Sequence, residues 1–475
     1  MMKKTLARLL ACALILTLAL GGLSALAETY PTAWDLTELY ADADAWQADY
    51  DRAMEMIGQY DAFRGTLNTA QGLYDYLNYA NLGELTRIQN KLYLYATLGS
   101  QLNPDDPTSA QLSSKMDQML SVEYQATAFV DPELYALSLE ERQALLDDPL
   151  LASWAYGLRQ YVDPDHQPLS EDAFAAVSAL SPGLGRAFDI YSVLSTLNLP
   201  SPRITLPDGT EKELTDSLMG EILYYGDYDH DFQAHAVDVM LSQAAPFADT
   251  FAALLDENIS QNWASTQLYD YDSCLEYALS ASDVEPEIYD MLLSAAHDGA
   301  KYYQRYLSAH ARALGLSELT QWDMFSLTSD YYPDFLSYDD AVDLVRESLS
   351  VLGDDYIAVY DQLVTSGHVD VYPSNTKVTG ALTLTMGEEY LPYVLLNYYG
   401  DTVDAGSLAH EIGHAIYARY AIEGQNGNEL YDAPTTFTDE VASITNELLF
   451  YTHMMDNAAT DEEKLYCLET LIQNF

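Results

Sequence analysis

The sequence predicts a mainly α fold, and three observations carry that prediction. Apolar residues recur at spacings of three and four over most of the chain. Gly, Pro and Asp gather only at a few breaks between those runs. β-prone segments are confined to residues 380–398, apart from one short hairpin near residue 204. Composition agrees: 475 residues, 49% hydrophobic and 12% aromatic, can bury an extensive core and do not describe a disordered chain.

Residues 1–27 read as an export signal rather than as part of the fold. Lys3, Lys4 and Arg8 precede an uncharged apolar core at 9–20, and Ser24-Ala25-Leu26-Ala27 offers an Ala-x-Ala cleavage site. The lipobox-like run Leu9-Leu10-Ala11-Cys12 lies at the start of the apolar core and not at its end, so secretion is favoured over lipid anchoring. No later stretch is long and apolar enough to span a bilayer. From Trp34 onward, Thr37-Glu38-Leu39, Trp46, Tyr50, Met54 and Ile57 mark the first helical stripe. Further stripes cover 70–100, 108–130, 170–196, 215–225, 231–256, 284–314 and 339–365. They break at Asn103-Pro104-Asp105-Asp106-Pro107, Asp163-Pro164-Asp165 and Leu199-Pro200-Ser201-Pro202. The last break divides an N-terminal helical domain, 28–200, from a second domain, 201–475. That second domain opens on a hairpin at Ile204-Thr205-Leu206-Pro207-Asp208-Gly209-Thr210. Gly380-Ala381-Leu382-Thr383-Leu384-Thr385 and Tyr393-Val394-Leu395-Leu396-Asn397-Tyr398 predict a small sheet.

Charge narrows the function. Against 20 Lys and Arg stand 74 Asp and Glu, a formal charge of −54, so nucleic acid and anionic membranes are poor partners. With Cys12 in the signal, only Cys274 and Cys467 remain, which excludes a disulfide framework and leaves a single bridge open. The 39 Tyr read as helix-packing and channel-lining groups. Asp227-Tyr228-Asp229-His230-Asp231 imitates the start of a calcium loop, but Phe232 stands where the turn needs Gly, so it reads as a loop leading into a helix.

The chemistry concentrates at His410-Glu411-Ile412-Gly413-His414. Residues i and i+4 share a helix face, so two imidazoles can converge on one Zn²⁺ ion, with Glu411 one step round the helix as a general base. Leu408, Ala409, Ile412, Ala415, Ile416 and Ala418 make the stretch apolar and helix-competent. A catalytic zinc needs a third protein ligand. The metzincin continuation is absent, since Ala415-Ile416-Tyr417-Ala418-Arg419-Tyr420 follows. A second helix at 438–447 supplies candidates, with Val441, Ile444 and Leu448 as its expected buried face and Glu440, Ser443 and Glu447 on another. Glu440 is the preferred ligand; Asp439 and Glu447 are alternatives on position alone.

These motifs resemble the oligoendopeptidase F group within the thimet-oligopeptidase family of zinc peptidases. The similarity runs through Pro392-Tyr393-Val394-Leu395-Leu396-Asn397-Tyr398, Leu408-Ala409-His410-Glu411-Ile412-Gly413-His414 and Asp439-Glu440-Val441-Ala442-Ser443. Trp34-Asp35-Leu36-Thr37-Glu38-Leu39-Tyr40, Leu352-Gly353-Asp354-Asp355-Tyr356 and Asp370-Val371-Tyr372-Pro373 support it. The resemblance implies one zinc held by His410, His414 and Glu440, with Glu411 as the base. It also implies a two-lobed, zincin-like helical ellipsoid around a deep channel, in which the strand at Gly380, Ala381 and Leu382 holds an extended peptide. Ser443 and Glu447 are then expected just outside the metal ligands.

The expected activity is that of an exported zinc endopeptidase cutting oligopeptides, in which Glu411 takes the proton of a zinc-activated water. A second expectation comes from the last helix. Thr460 and Glu463 form a capping box, and Leu465, Leu468, Ile472 and Phe475 make an apolar stripe that runs to the final residue, whereas the family continues further. The 201–475 domain then lacks its C-terminal part. On that reading the alternative function is a catalytically impaired peptide binder, or an inactive fragment, that keeps the metal site.

Overall fold

The computed structural model describes residues 29–474 apart from 164–168, 170–172, 174–175, 178–179, 181–185, 196–198, 200, 226–227, 281, 327, 329–330, 332, 388–389 and 425–435. The export-signal reading therefore lies outside the described residues. The fold is mainly α, as the periodicity requires.

Helix α1 (Ala43–Ile57) starts where Asp42 accepts a hydrogen bond from Ala45 N at 2.9 Å, and it buries Trp46, Tyr50, Ala53 and Ile57 on one face. The expected run 70–100 is two helices, α2 (Ala70–Asn81) and α3 (Glu84–Leu102). Gly83 joins them where a Cβ would lie 2.5 Å from Tyr79 O, so only glycine fits this turn. Helix α4 (Pro107–Thr127) takes Asp106 as its cap and Pro107 at its first turn. The hairpin pairs β1 (Arg203–Thr205) with β2 (Glu211–Glu213), antiparallel, and Ile204 and Leu206 pack on Leu214, Leu218 and Ile222. The expected helix 231–256 divides into His230–Ser242 and Ala248–Leu268, because Pro246 has no N–H to continue the first. Asp229 caps the earlier of these by accepting from Phe232 N at 2.8 Å, which fits a helix-leading loop. Of the stripe 170–196, Arg186–Val193 is helical; most of the rest lies outside the described residues.

The run 339–365 also divides, into α5 (Tyr338–Leu349) and α6 (Asp354–Thr365). Between them Gly353 adopts φ +102°, which a side chain would resist. The sheet that follows has three strands, with 393–395 between 369–370 and 382–384. Strand β3 (Val369–Asp370) runs parallel to β5 (Tyr393–Leu395), and β4 (Leu382–Leu384) lies antiparallel to it with Thr383 opposite Val394. Strand β3 was not foreseen: two residues carry no periodic signal. Lys377 ties the β3 end to the β4 approach, its ammonium donating to Asp370 O at 3.0 Å, Asp370 Oδ1 at 2.7 Å and Tyr372 O at 3.0 Å.

Among the described residues three helices follow the sheet: α7 (Thr402–Gly424), α8 (Thr436–Asn457) and α9 (Asp461–Asn474). Helix α7 is buried almost all round, as its apolar sequence requires. In α9, Leu465 and Leu468 of the expected stripe face outward, 39% and 40% exposed, Ile472 is half-buried and Phe475 lies outside the described residues, while Tyr466, Cys467, Glu469 and Thr470 face the protein. Thr460 Oγ1 accepts from Glu463 N at 3.1 Å, the expected cap. Cys274 and Cys467 are both free thiols.

The N-terminal segment is fastened to this sheet. Trp34 Nε1 donates to His368 O at 3.0 Å and to Val394 O at 2.9 Å, and Tyr393 OH donates to Glu38 Oε1 at 2.6 Å. Trp34→Ala removes a buried indole and its hydrogen bonds to two buried carbonyls, so it is expected to cost about 3–5 kcal/mol. Denaturant unfolding checks this, and a loss below about 1 kcal/mol would show that the contact is dispensable.

Candidate metal centre

Helices α7 and α8 approach more closely than side chains on both would allow. A Cβ on Gly413 would lie 2.6 Å from Ser443 Cα and 2.9 Å from Ala442 O, so glycine is required at this crossing. The approach is fixed by a hydrogen bond from Asn446 Nδ2 to Ala409 O at 3.0 Å, with Tyr356 OH donating to Asn446 Oδ1 at 2.8 Å.

The inner face of α8 differs from expectation. Val441 is 63% exposed and Leu448 37% exposed, and the buried positions are Ser443, Asn446, Phe450 and Tyr451. From Glu440 to Glu447 the face that meets α7 carries hydrogen-bonding groups into a site, which an apolar stripe could not supply, and Phe450 and Tyr451 continue it as core. Glu440, Ser443 and Glu447 therefore belong to the packed face rather than to a separate one.

On that face, His410 Nε2 and His414 Nε2 lie 3.2 Å apart, and Glu440 Oε2 lies 3.4 Å from the first and 3.6 Å from the second. Ligand atoms at zinc distances around a tetrahedral centre are separated by about 3.4 Å, so the three atoms match three corners of such a site. Among the described residues, His410, His414 and Glu440 form the one cluster able to hold a metal ion. Ser443 Oγ donates to Glu440 Oε2 at 2.9 Å. The alternatives for third ligand lie elsewhere: Glu447 Oε2 is 3.2 Å from His410 Nδ1 and Asp439 Oδ1 is 3.0 Å from His414 Nδ1.

Glu411 is buried beside this cluster, and Thr383 Oγ1 donates to its Oε2 at 2.8 Å and reaches its carbonyl oxygen at 2.9 Å. Burial pushes the Glu411 carboxyl above the usual carboxylate range, against the Thr383 hydroxyl and the two imidazoles. Burial pulls His410 down, but the Glu447 hydrogen bond and the charges of Glu411, Glu447 and Glu440 outweigh it, leaving its pKa raised.

Of the residues expected to meet substrate, Gly380 and Ala381 line a cleft of about 240 Å³ with Asn397, Tyr399, Asp404 and Ser407. Ser407 precedes His410 by one helical turn. Leu382 does not line it and packs instead against the core of the N-terminal helices. Sequence reasoning missed Thr383 and Asn446. Both left a signal: alternation along β4 sets Thr383 on the face opposite Leu382 and Leu384, and Asn446 lies three residues after Ser443 on the same helix face.

Comparison with known proteins follows the same residues. Residues 229–475, just over half the chain, match peptidase family M3. The chain belongs to this family. This M3 chain is 25% identical to oligopeptidase PepF of Bacillus subtilis over 447 residues, 93% of its own length and 65% of PepF. A solved chain from Chlamydophila abortus superposes with a TM-score of 0.73 at 26% identity, covering 93% of this chain and 73% of that one. Oligoendopeptidase-F from Enterococcus faecium shares the fold, with a TM-score of 0.64 at 19% identity over 90% and 70% of the two chains.

Proposed function

We propose that this M3 chain is a zinc-dependent endopeptidase that cuts short, extended oligopeptides. One observation carries the reading: two imidazole nitrogens and the Glu440 carboxylate converge at zinc spacing, with a buried carboxylate, Glu411, on the adjoining helix face. When bound, zinc supplies Lewis acidity that polarises a carbonyl and acidifies water. His410, His414 and Glu440 hold it. Glu411 takes the proton of the attacking water and delivers it to the leaving amine. The Thr383 hydroxyl takes one lone pair of Glu411 Oε2, which makes Oε1 the less engaged acceptor for that proton. Among the described residues β4 has a ladder partner only on its β5 side, so its other edge can pair with an extended peptide backbone. The segment 1–27, read as an export signal, supports an activity outside the cytoplasm.

Purified protein is expected to hold about one zinc per chain, and His410→Ala or His414→Ala to abolish it. Elemental analysis reads this directly; unchanged zinc in both variants would remove the site. Incubating the protein with mixed short peptides, with and without a chelator, tests the chemistry. Chelator-sensitive cleavage of peptides with folded proteins left intact supports the reading. Efficient digestion of a folded protein would overturn the extended-substrate part, and zinc retention with peptide binding but no cleavage would identify a binder.

Thr383→Val is expected to lower kcat by roughly tenfold or more, since one hydrogen bond to a charged group contributes about 1.5–3 kcal/mol. Zinc content should not change. Steady-state kinetics with unaltered kcat would show that Glu411 needs no such support.

A further inference from the structure

Helix α8 brings Asp439, Glu440, Ser443, Asn446 and Glu447 onto an arc of about 120° facing α7. Glu440 reaches the Nε2 atoms of both histidines, whereas Asp439 and Glu447 reach only their Nδ1 atoms, one each. A neutral imidazole carries its proton on one nitrogen and a lone pair on the other, and a carboxylate can only accept. Asp439 and Glu447 lie within hydrogen-bond distance of the Nδ1 atoms, at 3.0 and 3.2 Å, closer than Glu440 comes to either Nε2, so Nδ1 carries the proton in each ring.

We propose that Asp439 is a positioning residue: its carboxylate holds the Nδ1–H tautomer of His414 and so aims the Nε2 lone pair at the metal centre. Glu447 stands in the same relation to His410, which makes α8 the source of one ligand and of both carboxylates that orient the histidines. With the protons on the outer nitrogens, three acceptor atoms face one another, and the Ser443 hydroxyl satisfies only one lone pair of Glu440 Oε2, an arrangement that calls for a cation. In the other tautomer a proton would point into the site and block it. The competing role for Asp439 is that of an acidic residue in the first turn of α8, where it would complement the helix dipole without touching the metal's affinity.

This inference rests on the metal-centre reading above, and its test separates the two. Zinc affinity is measured by chelator competition for wild type, Asp439→Ala, Asp439→Asn and His414→Ala, with thermal unfolding of each zinc-free form. Removing a carboxylate behind a metal-bound histidine typically costs 10–100-fold in affinity. Asp439→Ala is expected to lose about that much, while Asp439→Asn, which keeps an acceptor oxygen, loses less. His414→Ala should lose stoichiometric zinc altogether; if it does not, the metal-centre reading fails first. Equal affinity in wild type and Asp439→Ala, with both Asp439 variants less heat-stable, would assign the residue to the helix dipole and overturn the proposal. A second measurement needs no variant. Nitrogen-15 NMR of histidine-labelled, zinc-free protein, well above the imidazole titration range, should show His414 protonated at Nδ1. Protonation at Nε2 would refute the proposal outright.

Discussion

Glu411→Gln is expected to lower the turnover of peptides by at least ~10²-fold while leaving zinc in place. Glutamine keeps the size of glutamate and can still accept from the Thr383 hydroxyl, so the geometry around β4 survives. What disappears is the ability to accept a proton from water and pass it on. The carboxylate is buried beside the cluster and, among the described residues, the other nearby carboxylates are already directed at the imidazoles, so none stands ready to replace it. Glu440→Gln should act differently by weakening the hold on zinc itself. Parallel kinetics and metal analysis of the two variants separate proton transfer from metal binding. Near-normal cleavage by Glu411→Gln would mean that another group is the base.

Gly413→Ala is expected to damage both fold and site through a single methyl group. The new Cβ would meet Ser443 Cα at 2.6 Å and Ala442 O at 2.9 Å, and both are backbone atoms that cannot rotate away. Helices α7 and α8 must then part, and Glu440, three residues before Ser443, moves with α8. Overpacking of this kind costs about 1–3 kcal/mol. A shift approaching 1 Å at a reacting centre can cost about 10²-fold in rate. Gly424→Ala, at the far end of α7 with no atom of the described residues within 4 Å of its Cβ, serves as the control and should be nearly neutral. Denaturant unfolding and zinc titration of the two variants check this. Wild-type zinc affinity in Gly413→Ala would show that the crossing is looser than the distances indicate.

Much of this architecture could be read before any coordinates, for reasons that lie in particular residues. A helix such as α1 declares itself because Trp46, Tyr50, Ala53 and Ile57 repeat with the period of the helix. The motif at 410–414 is legible because i and i+4 share a face whatever surrounds them. The third corner, Glu440, could be narrowed to a few carboxylates but not oriented, since spacing cannot say which carboxylate meets Nε2 and which meets Nδ1. The inner face of α8 was misread for a related reason. Val441, Ile444 and Leu448 are the apolar stripe, but the helix turns Ser443, Asn446 and Glu447 inward because its partner needs hydrogen bonds there. Helix breaks at Gly83, Pro246 and Gly353 were passed over because the apolar period continues across them.

The fastening of Trp34 to the central strand bears on the order in which the chain can fold. The core that encloses Trp46, Tyr60 and Trp154 is closed by Tyr393 and Leu395, well over two hundred residues further along. The early helices can form as soon as they leave the ribosome, but their packing stays unfinished until β5 has been made. Such distant closure raises the loop entropy to be overcome and slows the final step. Until then the indole of Trp34 and the apolar faces of α1 to α4 stand open to solvent, a stage at which a chain is prone to aggregate or to recruit a chaperone. An early stop before residue 395 would therefore leave the first half of the protein incompletely packed, and not merely shorter.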